Sequence, residues 1–129
     1  MVREVSMRVT DLFGCPLTIA DGEAAASWSA TALAFLAHGD AAAGHLGDTL
    51  ARDPDFAMGH AARGLFCLLL ARREMVAPAR AALEAARAGA ARSGTTARET
   101  AYIEALADWL GGRPSAAADR FDRVLRDHP

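Results

Sequence analysis

The chain contains no lysine: all 14 of its basic residues are arginine. Cysteine, tyrosine and tryptophan are nearly as scarce, at two, one and two residues, and aromatics make up only 6% of the 129 residues. These shortages exclude several classes of protein. With a formal net charge of −2, the sequence carries no electrostatic footprint for nucleic acid or an anionic membrane, and neither partner is expected. Two thiols, Cys15 and Cys67, do not make a disulfide framework, so a reduced cytoplasmic setting is expected. The N-terminus has no apolar segment of signal-peptide length. The longest apolar run, Leu65–Ala71, is too short to span a bilayer. There is no HExxH, CxxC, GxGxxG, P-loop or GxSxG. No catalytic residue, metal ligand or cofactor is therefore expected, and the chain is not read as an enzyme.

What remains is largely alanine, leucine and arginine. Hydrophobic residues make up 52% of the chain against only five prolines. Alanine is the strongest helix former, so this composition points to an all-α fold. The charge is unevenly divided: residues 1–64 hold 4 arginines and 8 acids, and residues 65–129 hold 10 arginines and 8 acids.

The organising stretch is Asp53–Arg73. Asp53 suits an N-cap, Pro54 the first helical position and Asp55 the first turn. Phe56, Ala57, Ala61, Leu65, Leu68 and Leu69 fill more than one face, as in a helix at the centre of a molecule. Burial there should leave Cys67 inert. Gly59 and Gly64 have two readings: close approach of a neighbouring helix, or drift in a sequence built from small residues.

Residues 1–20 form an irregular lead-in, with Val5, Met7 and Val9 alternating before a turn at Gly14-Cys15-Pro16. It is expected to pack on the first hairpin. Helix one is expected over 21–37, opened by a capping-box-like Thr18/Asp21 pair, with a stripe of Ala24, Trp28, Ala32, Phe35 and Leu36. His38-Gly39-Asp40 reads as a stop and restart, with Gly39 ending one helix and Asp40 capping the next. Helix two (41–52) places Ala43, Leu46 and Leu50 on one face. Helix four is expected over 77–88, followed by a loop at 89–95. Helix five opens with a capping box, Thr96 to Glu99, and ends at Gly111-Gly112. Helix six starts at Pro114, buries Ala117, Phe121, Val124 and Leu125, and stops at His128-Pro129. Three outward i,i+4 pairs are expected: Arg80–Glu84, Asp119–Arg123 and Asp122–Arg126. Trp109 and Phe121 should meet between helices five and six.

The six helices read as antiparallel hairpins at about 21–53, 54–89 and 96–128. The last has the clearest spacing, Gly112, Ala117, Phe121, Val124, Pro129, which is the second half of a tetratricopeptide repeat. The middle hairpin lacks the turn glycine, and the first is two residues shorter between Gly39 and Pro54. Asp53-Pro54-Asp55-Phe56-Ala57-Met58-Gly59-His60-Ala61 and Thr96-Ala97-Arg98-Glu99…Ala105…Trp109…Gly112…Leu125…Asp127-His128-Pro129, with the opening Gly22-Glu23-Ala24, resemble the N-terminal portion of the tetratricopeptide repeat protein 38 family. The resemblance covers roughly residues 17–129. It implies three hairpins stacked as a right-handed tetratricopeptide-like solenoid, a scaffold role, and no transferable catalytic residue.

Four residues are candidates for a binding surface. Arg63, Glu104 and Asp108 could line the concave side of a repeat array, and His60 lies on the central helix. Glu104 and Asp108, at i,i+4, read as a solvated face rather than an acid–base pair. The histidines show no ligand spacing. Ile103 and Leu110 are candidates for an association face, left open because no further hairpin follows helix six. The expected role is binding of a protein or peptide partner, or self-association through helices five and six. The alternative is the helical part of an enzyme or small-molecule-binding protein, with a pocket inside the superhelix.

Overall fold

The computed structural model describes residues 9–37 and 41–127. The fold is all-α, with six helices and one two-stranded sheet among the described residues. The helices are α1 (Gly22–Leu36), α2 (Ala42–Arg52), α3 (Ala57–Leu69), α4 (Val76–Ser93), α5 (Ala97–Leu110) and α6 (Pro114–Asp127). Consecutive helices pair closely as α1 with α2, α3 with α4 and α5 with α6; α3 also packs on α2 and α5.

The central place of α3 is visible in how it divides its side chains. Met58 and Ala62 join one buried cluster with Leu17, Ala25, Trp28, Leu46, Leu50 and Phe56, and Phe66 packs on its edge. Ala57, Ala61 and Leu65 join a second cluster with Leu83, Ala86, Ile103 and Leu106. Each α3 set recurs every four residues, so the two lie on adjacent faces of one helix. Trp28 meets Phe56 edge to face, with ring centroids 5.3 Å apart, an arrangement favoured by the ring quadrupoles.

Close approach accounts for Gly64. A Cβ there would lie 2.5 Å from Leu106 Cδ2, and Leu106 is wholly buried. At Gly59 it would meet Phe56 and Leu50 at 2.8 and 2.9 Å.

Several expected boundaries shift, those at Asp53 and Asp21 because a polar group has another task. The first residue of α3 is Ala57, not Pro54. Asp53 instead ends α2, accepting the Asp55 N–H through Oδ1 and the Ala20 N–H through Oδ2. Asp21 alone caps α1, accepting the Ala24 N–H at 2.8 Å, so the Thr18/Asp21 box does not form. Helix α4 continues through the expected loop to Ser93. Gly89 does not break it: this glycine is buried where a Cβ would fall 2.5 Å from the Asp55 carbonyl oxygen. The Thr96/Glu99 capping box forms in both directions, as expected. The stop and restart at 38–40, the start of the lead-in and the closing His128-Pro129 lie outside the described residues.

The lead-in is more ordered than its composition suggests. Val9–Thr10 (β1) pairs antiparallel with Pro16–Leu17 (β2) around a turn with Gly14 at φ 81°. Asp11 Oδ1 holds that turn by accepting the Phe13 and Cys15 N–H groups. The hairpin packs on α1, where Leu12 N–H donates to Ser29 Oγ. It also reaches α5. Asp11 pairs with Arg98 at 3.0 Å, and the Thr18 N–H donates to Glu99 Oε2 at 2.8 Å. The side chains of Asp11 and Arg98 are almost completely buried. The N-terminal segment thus straps the first helical hairpin to the third.

None of the three expected i,i+4 pairs closes among the described residues. The ion pairs that form instead link different elements: Glu23–Arg52, Asp55–Arg92, Asp11–Arg98, and Asp108 and Glu104 with Arg120. Leu125 is exposed rather than buried. Ala43 likewise faces solvent, leaving Ala42, Leu46, Thr49 and Leu50 as the inner face of α2.

Candidate functional site

The four expected binding-surface residues do not form one site. His60 is half-buried, with Nε2 2.6 Å from the Pro54 carbonyl oxygen, so it braces the turn that leads into its own helix. Arg63 is exposed and makes no ion pair among the described residues. Glu104 is exposed and accepts from Arg120 Nη1 at 2.9 Å.

Asp108 departs from its expected solvated position. It is buried on α5, accepting from Arg120 Nε through Oδ2 and from Arg113 Nη2 through Oδ1. The Arg120 guanidinium, and then Arg113, hold its carboxyl below the usual range despite the opposing effect of desolvation. Asp108 in turn raises Arg120. This cluster latches α6 to α5; it has no free carboxylate pair for acid–base work.

The expected association face is also corrected. Ile103 is buried in the second cluster, and Leu110 is half-buried on its edge. Residues of α3, α4 and α6 supply that cover. The edge-to-face partner of Phe121 is Tyr102, with centroids 5.3 Å apart; Phe121 and Trp109 both border the same cluster. Burial pushes the Tyr102 phenol up, partly opposed by Arg98.

Cys67 is half-buried rather than enclosed, and Cys15 is likewise half-buried. Among the described residues, no group of three or more His, Cys, Asp or Glu side chains comes together to hold a metal ion. A shallow groove of about 180 Å³ runs between α5 and α6, lined by Arg98, Arg120, Arg123 and Val124. No helix is long and apolar enough to cross a membrane among the described residues.

A different surface emerges where α1 and α3 end. Phe35 stacks flat on Phe66, with ring centroids 5.1 Å apart and planes within 6°. Phe35 is one residue from the end of α1, and Phe66 is three from the end of α3. Leu69 and Leu70 follow Phe66 at i+3 and i+4, which places them on its face one turn further along. Phe35, Leu36, Leu69 and Leu70 are 46, 63, 54 and 57% exposed. The last turn of α3 is thus only partly covered, with Phe66 and Leu68 on the edges of the two clusters and Cys67 half-buried between them.

Helix α3 terminates at Ala71, a non-glycine residue with φ 55°, whose N–H donates to the Leu68 carbonyl. Arg72 and Arg73 follow, exposed and without ion-pair partners among the described residues. Continuous hydrophobicity in Leu65–Leu70 resembles burial when read from sequence. The readable sign of exposure is that this apolar run continues right up to the Ala71-Arg72-Arg73 stop.

Comparison with protein-family models, curated proteins and solved structures finds no match to this chain.

Proposed function

We propose that this chain is a helical-repeat scaffold that binds a protein or peptide partner and has no catalysis of its own. The observation that carries this reading is the apolar end of α1 and α3. Four large hydrophobic side chains stand open beside a fixed aromatic stack, and contiguous exposed apolar surface of this kind marks interaction sites. Three paired hairpins around a shared central helix supply a rigid platform for it. In this reading they are successive units of a tetratricopeptide-like right-handed solenoid. The likeness in sequence of Asp53–Ala61, of the run from Thr96 to Pro129 and of the opening Gly22-Glu23-Ala24 to the tetratricopeptide repeat protein 38 family supports the same assignment. Two free thiols fit a reduced, cytoplasmic setting.

The test is a random-peptide display selection on the immobilised native chain, repeated with Leu69→Glu/Leu70→Glu. Both side chains are exposed, so the double variant should unfold at the wild-type temperature. Peptides enriched by the wild type and lost by the variant are the expected result. Failure to enrich any peptide, or enrichment indifferent to the substitutions, would overturn the reading. A thermal-shift panel of metabolites and nucleotides addresses the enzyme alternative: stabilisation by one of these compounds without peptide binding would put a small-molecule function in its place.

A further inference from the structure

We propose that the apolar end of α1 and α3 receives an amphipathic helix of a partner protein whose hydrophobic face is flanked at both ends by acidic residues. The proposal rests on the binding-scaffold reading and specifies the chemistry of its occupant.

The order of side chains along α3 carries this assignment. Arg63, Phe66 and Leu70 lie at i, i+3 and i+7, so they share one face. Leu69 borders that face, and Arg72 and Arg73 follow immediately after the helix. The sequence of features is therefore cation, aromatic stack, leucine pair, cations, over about the last two turns of α3 and the residues just beyond it. All three arginines are exposed and unpaired among the described residues. Elsewhere among the described residues Arg52, Arg92, Arg98, Arg113 and Arg120 have carboxylate partners and Arg80, Arg87, Arg123 and Arg126 have none, so what distinguishes Arg63, Arg72 and Arg73 is their place at the two ends of the apolar row. The acid nearest Arg63 in sequence, Asp55, is paired with Arg92; Glu74 directly follows Arg73 without pairing among the described residues; and the facing end of α1, Ala32–Ala37, carries no charge.

An amphipathic helix laid in a groove anchors itself through apolar side chains at i, i+3, i+4 and i+7. The Phe35–Phe66 stack joins α1 to α3 and makes a continuous floor for such anchors. Carboxylates beyond each end of the anchor row would fall opposite Arg63 on one side and Arg72 and Arg73 on the other. This charge complementarity selects among occupants. A second copy of the chain would set the same arginines against one another across a two-fold axis. An anionic bilayer would meet the whole molecule, whose net charge is −2, not only this end.

The experiment uses the native full chain and three synthetic helical peptides of about 18 residues that share one leucine anchor row. One has glutamate at both ends of the row, one glutamine and one lysine. Fluorescence anisotropy gives affinity at low and physiological salt, and sedimentation gives the oligomeric state of the free chain. The acidic peptide should bind about ten-fold tighter than the neutral one, with the preference falling at higher salt. Arg63→Glu and Arg72→Glu/Arg73→Glu should each reduce that preference, and Leu69→Glu/Leu70→Glu should abolish binding. Equal affinity for all three peptides would overturn this proposal while leaving the scaffold reading intact. Absence of binding by every peptide, when the display selection succeeds, would overturn the helical occupant. Self-association lost in Leu69→Glu/Leu70→Glu would assign the surface to a second copy. Binding to vesicles of anionic lipid, lost in the same variant and without peptide binding, would assign it to a membrane.

Discussion

Alanine should act in opposite directions at two helical glycines, Gly47 in α2 and Gly89 in α4. In either helix, replacing glycine removes conformational freedom from the unfolded chain and is worth about 0.5–1 kcal/mol. At Gly47 a Cβ would meet nothing within 4 Å, so only that gain operates. At Gly89 the same atom would lie 2.5 Å from the Asp55 carbonyl oxygen, 3.0 Å from its carbon and 3.2 Å from its Cα. These are backbone atoms and cannot rotate aside. The turn that carries them is tied by Asp53 to the Ala20 and Asp55 N–H groups, by Asp55 to Arg92, and by Pro54 to His60. Helix α4 must then back away from that turn, loosening the contact of Leu83 and Ala86 with α3. Overpacking of this kind costs about 1–3 kcal/mol, which exceeds the intrinsic gain. Gly89→Ala should therefore lose a net 1–2 kcal/mol or so and lower the melting temperature by about 3–8 °C. Gly47→Ala should raise it by about 2–4 °C. Circular dichroism during heating, with urea titrations of the same variants, measures both. A Gly89→Ala protein at least as stable as the wild type would show that the Asp55 turn does not rest on α4, and the argument from close approach would fail.

Ala71→Gly should stabilise by about 1 kcal/mol, because φ 55° crowds the alanine Cβ but not glycine; a lower urea midpoint would contradict this. Glu99→Ala should destabilise by about 2–4 kcal/mol, since it strips the buried acceptor from the Thr96 and Thr18 N–H groups, and hydrogen exchange at those two amides should accelerate. The raised Tyr102 phenol gives a contribution that is intact below its ordinary value of 10.0 and lost as pH rises beyond it, because the unfolded chain ionises first. The near-ultraviolet titration of this single tyrosine should accordingly be displaced upward, and Tyr102→Phe should lack that part of the alkaline loss. The depressed Asp108 carboxyl works at the other extreme: its contribution is present above 3.8 and lost as pH falls through the lower, folded value. Asp108→Asn should remove that part of the acid sensitivity, which melting curves at neutral and acid pH would detect.

Sequence legibility follows the range of the interaction. The capping box of α5 was readable because Thr96 and Glu99 are three residues apart and each needs only the other's backbone. The division of α3 into two buried faces was readable as apolar residues in excess of one stripe. Asp108 was not. Its local spacing with Glu104 describes an ordinary wet helix face, whereas Arg120 and Arg113, which enclose it, come from α6 and the turn before it. Asp53 was misassigned for a related reason. It is an excellent N-cap for whatever follows, but the folded chain uses its carboxylate to hold Ala20 and Asp55. A side chain able to cap two elements does not reveal, from its own neighbourhood, which it will serve.

Hydrophobicity marks α3 as buried yet does not mark where burial stops. Apolar periodicity reports which faces of a helix are suited to cover, and the length of the neighbours sets how much cover arrives. The apolar α3 residues up to Leu65 are enclosed by two clusters, while the next turn is only half covered and Leu69 and Leu70 stand exposed. Phe35 and Phe66 stabilise that transition by covering each other, which leaves their outer edges and the adjoining leucines open. A chain under selection only for its own stability has no use for leucine in those positions, because polar residues would hold the helix as well and stay soluble. Leucines followed at once by a left-handed alanine and two arginines that are unpaired among the described residues form a composite surface whose apolar and charged parts are unused among those residues. That unused combination, more than the number of exposed hydrophobic residues, is the physical ground for expecting a partner at this end.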